Sequence, residues 1–161
     1  MKKKLMIKID VLIKEKKWKK YINNPQNYLK NKINKIKSLI PIIKNKKVVL
    51  SVLLTGNNQI KNLNKKFRNK NKTTDVLSFP FYHEHELRKK IKKNNDIYLG
   101  DVILNYYKIN KVKKENFIYE FNKLWVHGLL HLIGHKHYKN KDFKKMNKLE
   151  IKIINKIQNI K

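Results

Sequence analysis

Four of the chain's six histidines fall between His127 and His137, in the run Trp125-Val-His127-Gly-Leu-Leu-His131-Leu-Ile-Gly134-His135-Lys136-His137. Two imidazoles four residues apart on a helix stand one turn apart on one face, about 6 Å along its axis. Gly134 can adopt the left-handed conformation that ends a helix, so the chain can double back and carry His135 or His137 to the same point. Three neutral imidazoles at about 2.0–2.1 Å leave one tetrahedral position open, as in a catalytic zinc site rather than a structural one. Half-buried histidines along a helical face are the ordinary alternative, and they explain a lone pair well. They do not explain a third imidazole beyond a glycine, in a chain with only four glycines of which Gly128 and Gly134 are two. The segment is read as a metal site.

Arginine is the second chemical clue. Of 41 basic residues only Arg68 and Arg88 are arginine. Where lysine serves nearly everywhere, an arginine points to a place needing the planar fork that grips phosphate or carboxylate. Arg88, inside Glu86-Leu-Arg88-Lys-Lys, reads as a surface residue, and Arg68 is the stronger candidate. His83 and His85 alternate with glutamates and read as solvated rather than ligating.

These residues need elements to hold them. Residues 4–13 alternate like a strand, at an edge or inside a sheet. Pro25 to Ile43 carries apolar residues at spacings of three and four, an amphipathic helix. Val48–Leu54 is a β-branched run expected as a central strand. Ile60, Leu63, Asn64 and Phe67 mark a short helix ending near Arg68, followed by a polar loop. Asp75–Phe81 is a strand whose Pro80 favours an edge. Residues 82–95 read as a mobile polar loop, and Ile97–Leu104 as a further strand. Asn116 is the expected cap of the histidine-bearing helix, with Phe117, Phe121, Leu124, Trp125, Leu129 and Leu132 as its buried stripe. Asp142 is the expected cap of a last helix. The order implies an α+β fold: a single domain over 1–161, with a mixed sheet of about four strands and about five helices.

Composition bounds the function. Without cysteine there is neither a disulfide partner nor a thiolate metal site. The basic opening resembles a signal peptide, but Lys8 and Asp10 interrupt its apolar stretch, and no run approaches the roughly 20 residues of a membrane span. A soluble, cytoplasmic protein with no membrane association is expected. The net charge of +30 would attract polyanions. The chain has no alanine and is crowded with Lys, Asn and Ile, the residues of A/T-rich codons. Much of the charge is therefore read as drift on solvated faces, compatible with RNA binding without defining a groove.

The residues resemble two families. His127, His131, Gly134 and His137 are spaced like the metzincin protease helix His-Glu-x-x-His-x-x-Gly-x-x-His. Gly128 stands where those enzymes carry the glutamate base, which weakens the peptidase reading. The closer resemblance is to the YbeY family of rRNA-maturation endoribonucleases. It rests on His127-Gly-Leu-Leu-His131-Leu-Ile-Gly134-His135-Lys136-His137, on Leu63-Asn-Lys-Lys-Phe-Arg68 with Thr74-Asp-Val-Leu-Ser-Phe-Pro80, and on Leu99-Gly-Asp101-Val-Ile. That resemblance implies a zinc-dependent, single-strand-specific endoribonuclease acting in 16S rRNA 3′-end maturation and ribosome quality control. It implies one Zn²⁺ per chain on His127, His131 and His137, with His135 not ligating and Arg68 near the metal. The implied partners are single-stranded regions of the 16S rRNA precursor and the small ribosomal subunit. Lys136 stands where the family usually has aspartate, and Gly56-Asn57 where it has an acidic pair.

Zinc would lower the pKa of its water from about 15.7 to about 7, and Arg68 would hold the scissile phosphate. No general base is identifiable. Asp75 and Asp101 are candidates to orient the imidazoles, or else cap turns beside their strands. Trp125 reads as core rather than a base-stacking ring, and Tyr138 is a candidate for stacking. The competing classes are a zinc-dependent peptidase-like hydrolase and a non-catalytic rRNA-binding biogenesis factor.

Overall fold

Four apolar runs become the strands of one sheet. The computed structural model describes residues 7–44, 46–93, 96–109, 111, 113–136 and 139–159. The strands are β1 (Ile7–Ile13), β2 (Lys47–Thr55), β3 (Val76–Pro80) and β4 (Asp96–Asn105), in the order β1-β2-β4-β3. β1, β2 and β4 run parallel, and β3 pairs antiparallel with β4. β2 is central as its apolar run implies, with Val48, Leu50, Val52 and Leu54 buried on one face. Pro80 sits on edge strand β3, where a missing N–H costs no ladder bond.

The helices are α1 (Pro25–Ile36), α2 (Asn57–Arg68), α3 (Glu84–Lys93), α4 (Lys114–Leu132) and α5 (Asn140–Gln158). The mixed α+β architecture thus matches the sequence expectation. α1 is shorter than its periodicity implied. After Ile36 a 3-10 turn spans Lys37–Leu39, and Pro41 bars continuation of the helix. Ile40 and Ile43 are nevertheless buried, which is why the pattern ran on.

The expected loop at 82–95 is corrected: it contains α3. Glu86 accepts a hydrogen bond from the backbone N–H of His83, half of a capping box, and Leu87 N–H donates to the His83 carbonyl. Glutamates occupy its first turn and lysines its last, the arrangement the helix dipole favours. Two expected caps also move. α4 and α5 follow Lys113 and Lys139, three residues before Asn116 and Asp142, so Asp142 lies in the first turn of α5.

α1 and α4 cover one face of the sheet and α5 packs against both, joined by the main apolar core. Trp18, fully buried, packs edge-on against Phe117 and Phe121 of α4 and donates its indole N–H to the Thr55 carbonyl. Trp125 is core as expected, donating to Asn122. α2 lies over the other face, where Ile60, Leu77 and Ile103 form a smaller cluster. Among the described residues, no helix is long and apolar enough to cross a membrane.

Candidate metal centre

The histidine helix is pressed onto the sheet at Gly128. A Cβ there would stand 2.6 Å from Val102 Cγ1 and 3.2 Å from Ser78 Oγ, so only glycine allows this approach. The position that would carry a metzincin glutamate therefore faces the sheet, with no room for a carboxylate. His127 and His131 project from the half-exposed side of the helix instead.

The helix then ends as its glycine implies. Gly134 has φ +96°, its N–H bonds to the His131 carbonyl, and the His135 N–H bonds to the Leu130 carbonyl. This is a Schellman motif, and it folds the chain back under the last turn. His135 meets His131 through its main chain, not its ring: the His135 carbonyl accepts from His131 Nδ1 at 2.8 Å. A carbonyl can only accept, so this bond assigns the His131 proton to Nδ1 and aims the Nε2 lone pair outward.

His127 is oriented likewise by a residue the sequence reading missed. Glu150 of α5 lies 3.3 Å from His127 Nδ1, its side chain 17% exposed against 30% for the imidazole. With both Nδ1 atoms acting as donors, the two Nε2 atoms face one another at 3.0 Å. Two lone pairs at that distance repel unless a proton or a metal ion lies between them. Two imidazoles on a tetrahedral zinc at about 2.05 Å would hold their nitrogens roughly 3.3 Å apart. The pair fits a zinc ion after a spread of a few tenths of an ångström, and its carboxylate and carbonyl supports are those that zinc-ligating histidines commonly have.

Among the described residues no cluster of three metal-ligating side chains is present. The expected third ligand, His137, lies outside the described residues, as does Tyr138.

Glu150 left a trace in the sequence. Met146, Ile153 and Ile157 form the buried stripe of α5, and Glu150 sits within it, four residues after Met146 and three before Ile153. A carboxylate on an apolar face must find a partner.

The other candidates divide. Arg68 closes α2 and donates from Nη2 to the Ser78 carbonyl at 2.9 Å, with its guanidinium 5.7 Å over the Phe79 ring. Since Ser78 Oγ borders Gly128, Arg68 is linked through one residue to the imidazole helix. Asp75 accepts from Thr74 and from the Val76 N–H, the turn-capping alternative. Asp101 accepts from the Tyr98 hydroxyl at 2.7 Å; it alternates with Val102, which faces α4, and so points to the opposite side of the sheet. His83 and His85 are exposed, as expected. Asn57 accepts from the buried Asn105 amide, which gives the Gly56-Asn57 departure a structural use.

His135 is half-buried. Burial and then the Lys145 ammonium hold its imidazole below the usual range; Arg88 adds to this and Glu84 opposes it.

The chain resembles known proteins in sequence and in fold. The family model described as Endoribonuclease YbeY matches residues 10–158. The chain is similar to Endoribonuclease YbeY of Pelagibacter ubique (strain HTCC1062), 44% identical over 149 residues, or 90% of this chain and 92% of that protein. It is 34% identical over 143 residues to Endoribonuclease YbeY of Thermodesulfovibrio yellowstonii, covering 80% of this chain and 86% of that one. Its fold resembles the solution structure of TM1509 from Thermotoga maritima, with a TM-score of 0.58 and 27% identity over 94% of this chain and 89% of that one.

Proposed function

The chain belongs to the Endoribonuclease YbeY family, and on that footing we propose that it is a zinc-dependent endoribonuclease cutting single-stranded RNA. Its place of action is the cytoplasm, its substrate the 16S rRNA precursor, and its role 3′-end maturation and quality control of the small ribosomal subunit. The observation that carries the reading is the pair of imidazoles with engaged Nδ1 atoms and Nε2 atoms meeting at 3.0 Å.

His127, His131 and His137 would hold the ion, which when bound supplies Lewis acidity toward a phosphoryl oxygen and toward water. The chain's own groups do the rest. Glu150 and the His135 carbonyl engage the two Nδ1 atoms, which orients the rings and turns both Nε2 atoms toward one point. Arg68 still has donors beyond the one given to Ser78, and it holds the phosphate and offsets charge growing on its oxygens. The many lysines supply affinity that is independent of sequence and falls with salt. A peptidase reading loses support because the base position is glycine packed on Val102.

The test is cleavage of a single-stranded RNA by purified protein. Activity should disappear with chelator and in His127→Ala, and return to wild type when zinc is restored. In cells depleted of the protein, 16S precursor with an unprocessed 3′ end should accumulate, and a His131→Ala copy should fail to clear it. Cleavage that survives chelation would sink the zinc reading; normal 3′ ends on depletion would sink the rRNA role.

A further inference from the structure

A concavity reaches His135, whose carbonyl holds the His131 ring. It is an open groove of about 810 Å³ between the turn after α1, the outer side of α3 and α5, with Ile133 and His135 at its inner end. The groove exists because residues 84–93 form a helix, which sets Arg88 and Ile91 on one face.

Its chemistry has two parts. The floor is aliphatic: Leu39, Ile42, Ile91 and Leu149 are only half-buried, and Pro41 is exposed. The rim is cationic, with Arg88, Lys92, Lys145, Lys148 and Lys152. Glu84 is 3.0 Å from Arg88 and leans on the Gly134 turn, so it holds the arginine at the lip. Among the described residues, no carboxylate lines the groove itself.

Three kinds of occupant suit a positive rim, and the floor separates them. Single-stranded nucleic acid binds by stacking bases on aromatic rings, and among the described residues this groove has no aromatic side chain but the His135 imidazole. A small amphiphilic anion needs a pocket that encloses most of its surface, and this one is open. An amphipathic helix matches both parts, with branched aliphatic side chains at i, i+3, i+4 and i+7 on the floor and carboxylates against the rim.

We propose that the groove between α3, α5 and the turn after α1 is a docking site for an acidic amphipathic helix of a partner protein. This site is separate from the face on which the Nε2 atoms converge. It does not depend on the nuclease reading, and its test uses no cleavage. α5 links the two places: Leu149 lines the groove while its neighbour Glu150 orients His127.

The experiment uses the full chain and a fluorescein-labelled peptide of about 18 residues, five helical turns, with leucines on one face and glutamates on the other. A second peptide has the same composition in scrambled order. At physiological ionic strength, fluorescence anisotropy should show the patterned peptide binding at least about tenfold tighter, the factor that burial of one leucine supplies. Ile91→Asn should remove that preference, and the paired reversal Lys148→Glu with Lys152→Glu should weaken the patterned peptide about tenfold or more. The two lysines are exposed, so the reversal leaves the fold intact if Ile91→Asn does not. Equal binding of the two peptides would overturn the proposal, since charge alone would then explain it. So would patterned binding unchanged by the lysine reversal. If a twelve-nucleotide oligouridine displaces the peptide and itself weakens with Ile91→Asn, the groove takes nucleic acid and the proposal is wrong.

Discussion

Removing the Glu150 carboxylate tests how the imidazoles are held. Its Oε2 lies 3.3 Å from His127 Nδ1, on a side chain 17% exposed. Loss of a group that supports a zinc-ligating histidine costs roughly 10- to 100-fold in metal affinity, about 1.4–2.7 kcal/mol. The contact is long beside the 2.7–2.9 Å typical of charge-assisted bonds, and the imidazole is 30% exposed, so solvent screens part of it. Both facts place the expected loss for Glu150→Ala near the lower end, about tenfold. Glu150→Gln keeps an acceptor but gives up the charge, so its loss should be smaller. Zinc competition against a chromophoric chelator at neutral pH reads the affinity directly. Glu115→Ala, an exposed carboxylate at the start of α4, is the control for general charge. If Glu150→Ala binds zinc like wild type, or if Glu115→Ala loses as much, the carboxylate does not orient the ligand and the reasoning fails.

Other residues give sharper or cheaper readings. Gly128→Ala should destabilise the fold by about 1–2 kcal/mol, because crowding Val102 and Ser78 outweighs the helix propensity gained; the denaturant midpoint should fall with an unchanged slope. Arg68→Lys should lower RNA cleavage at least about tenfold, about 1.4 kcal/mol in the barrier, while stability falls by no more than about 1 kcal/mol, the worth of its hydrogen bond to the Ser78 carbonyl. His135 gives a pH signature in the metal-free protein. Its folded pKa is depressed by burial and Lys145, so the unfolded chain binds more protons just below the ordinary value of about 6.5. Stability present above that value should be lost as pH falls through the folded pKa, and His135→Gln should flatten this part of the profile.

Much of this was legible in the residues because periodicity reports burial. Val48–Leu54 announced a central strand and Pro80 an edge, and the His127–His131–Gly134 spacing announced two facing imidazoles and a helix end. The errors came from the same source. α3 escapes a periodicity argument because its helix is written in charge order and capping, Glu84 and Glu86 early and lysines late, with only Leu87 and Ile91 as apolar markers. The apolar pattern of α1 outruns the helix because Ile40 and Ile43 stay buried beyond its end. Glu150 was missed because its partner is 23 residues away on another helix, and a pairing across helices has no local spacing. Residue type alone leaves Asp101 open between supporting an imidazole and capping a turn, and strand alternation sends it to the face opposite α4.

The central claim is a single ion shared by His127 and His131. Metal analysis of the purified wild type, His127→Ala and His131→Ala proteins, each verified as folded by circular dichroism, tests it most directly. About one zinc per wild-type chain and a clear loss in both variants is the predicted result. A wild-type protein that is folded, cleaves RNA and carries no metal would contradict it, as would zinc retained in full by both variants.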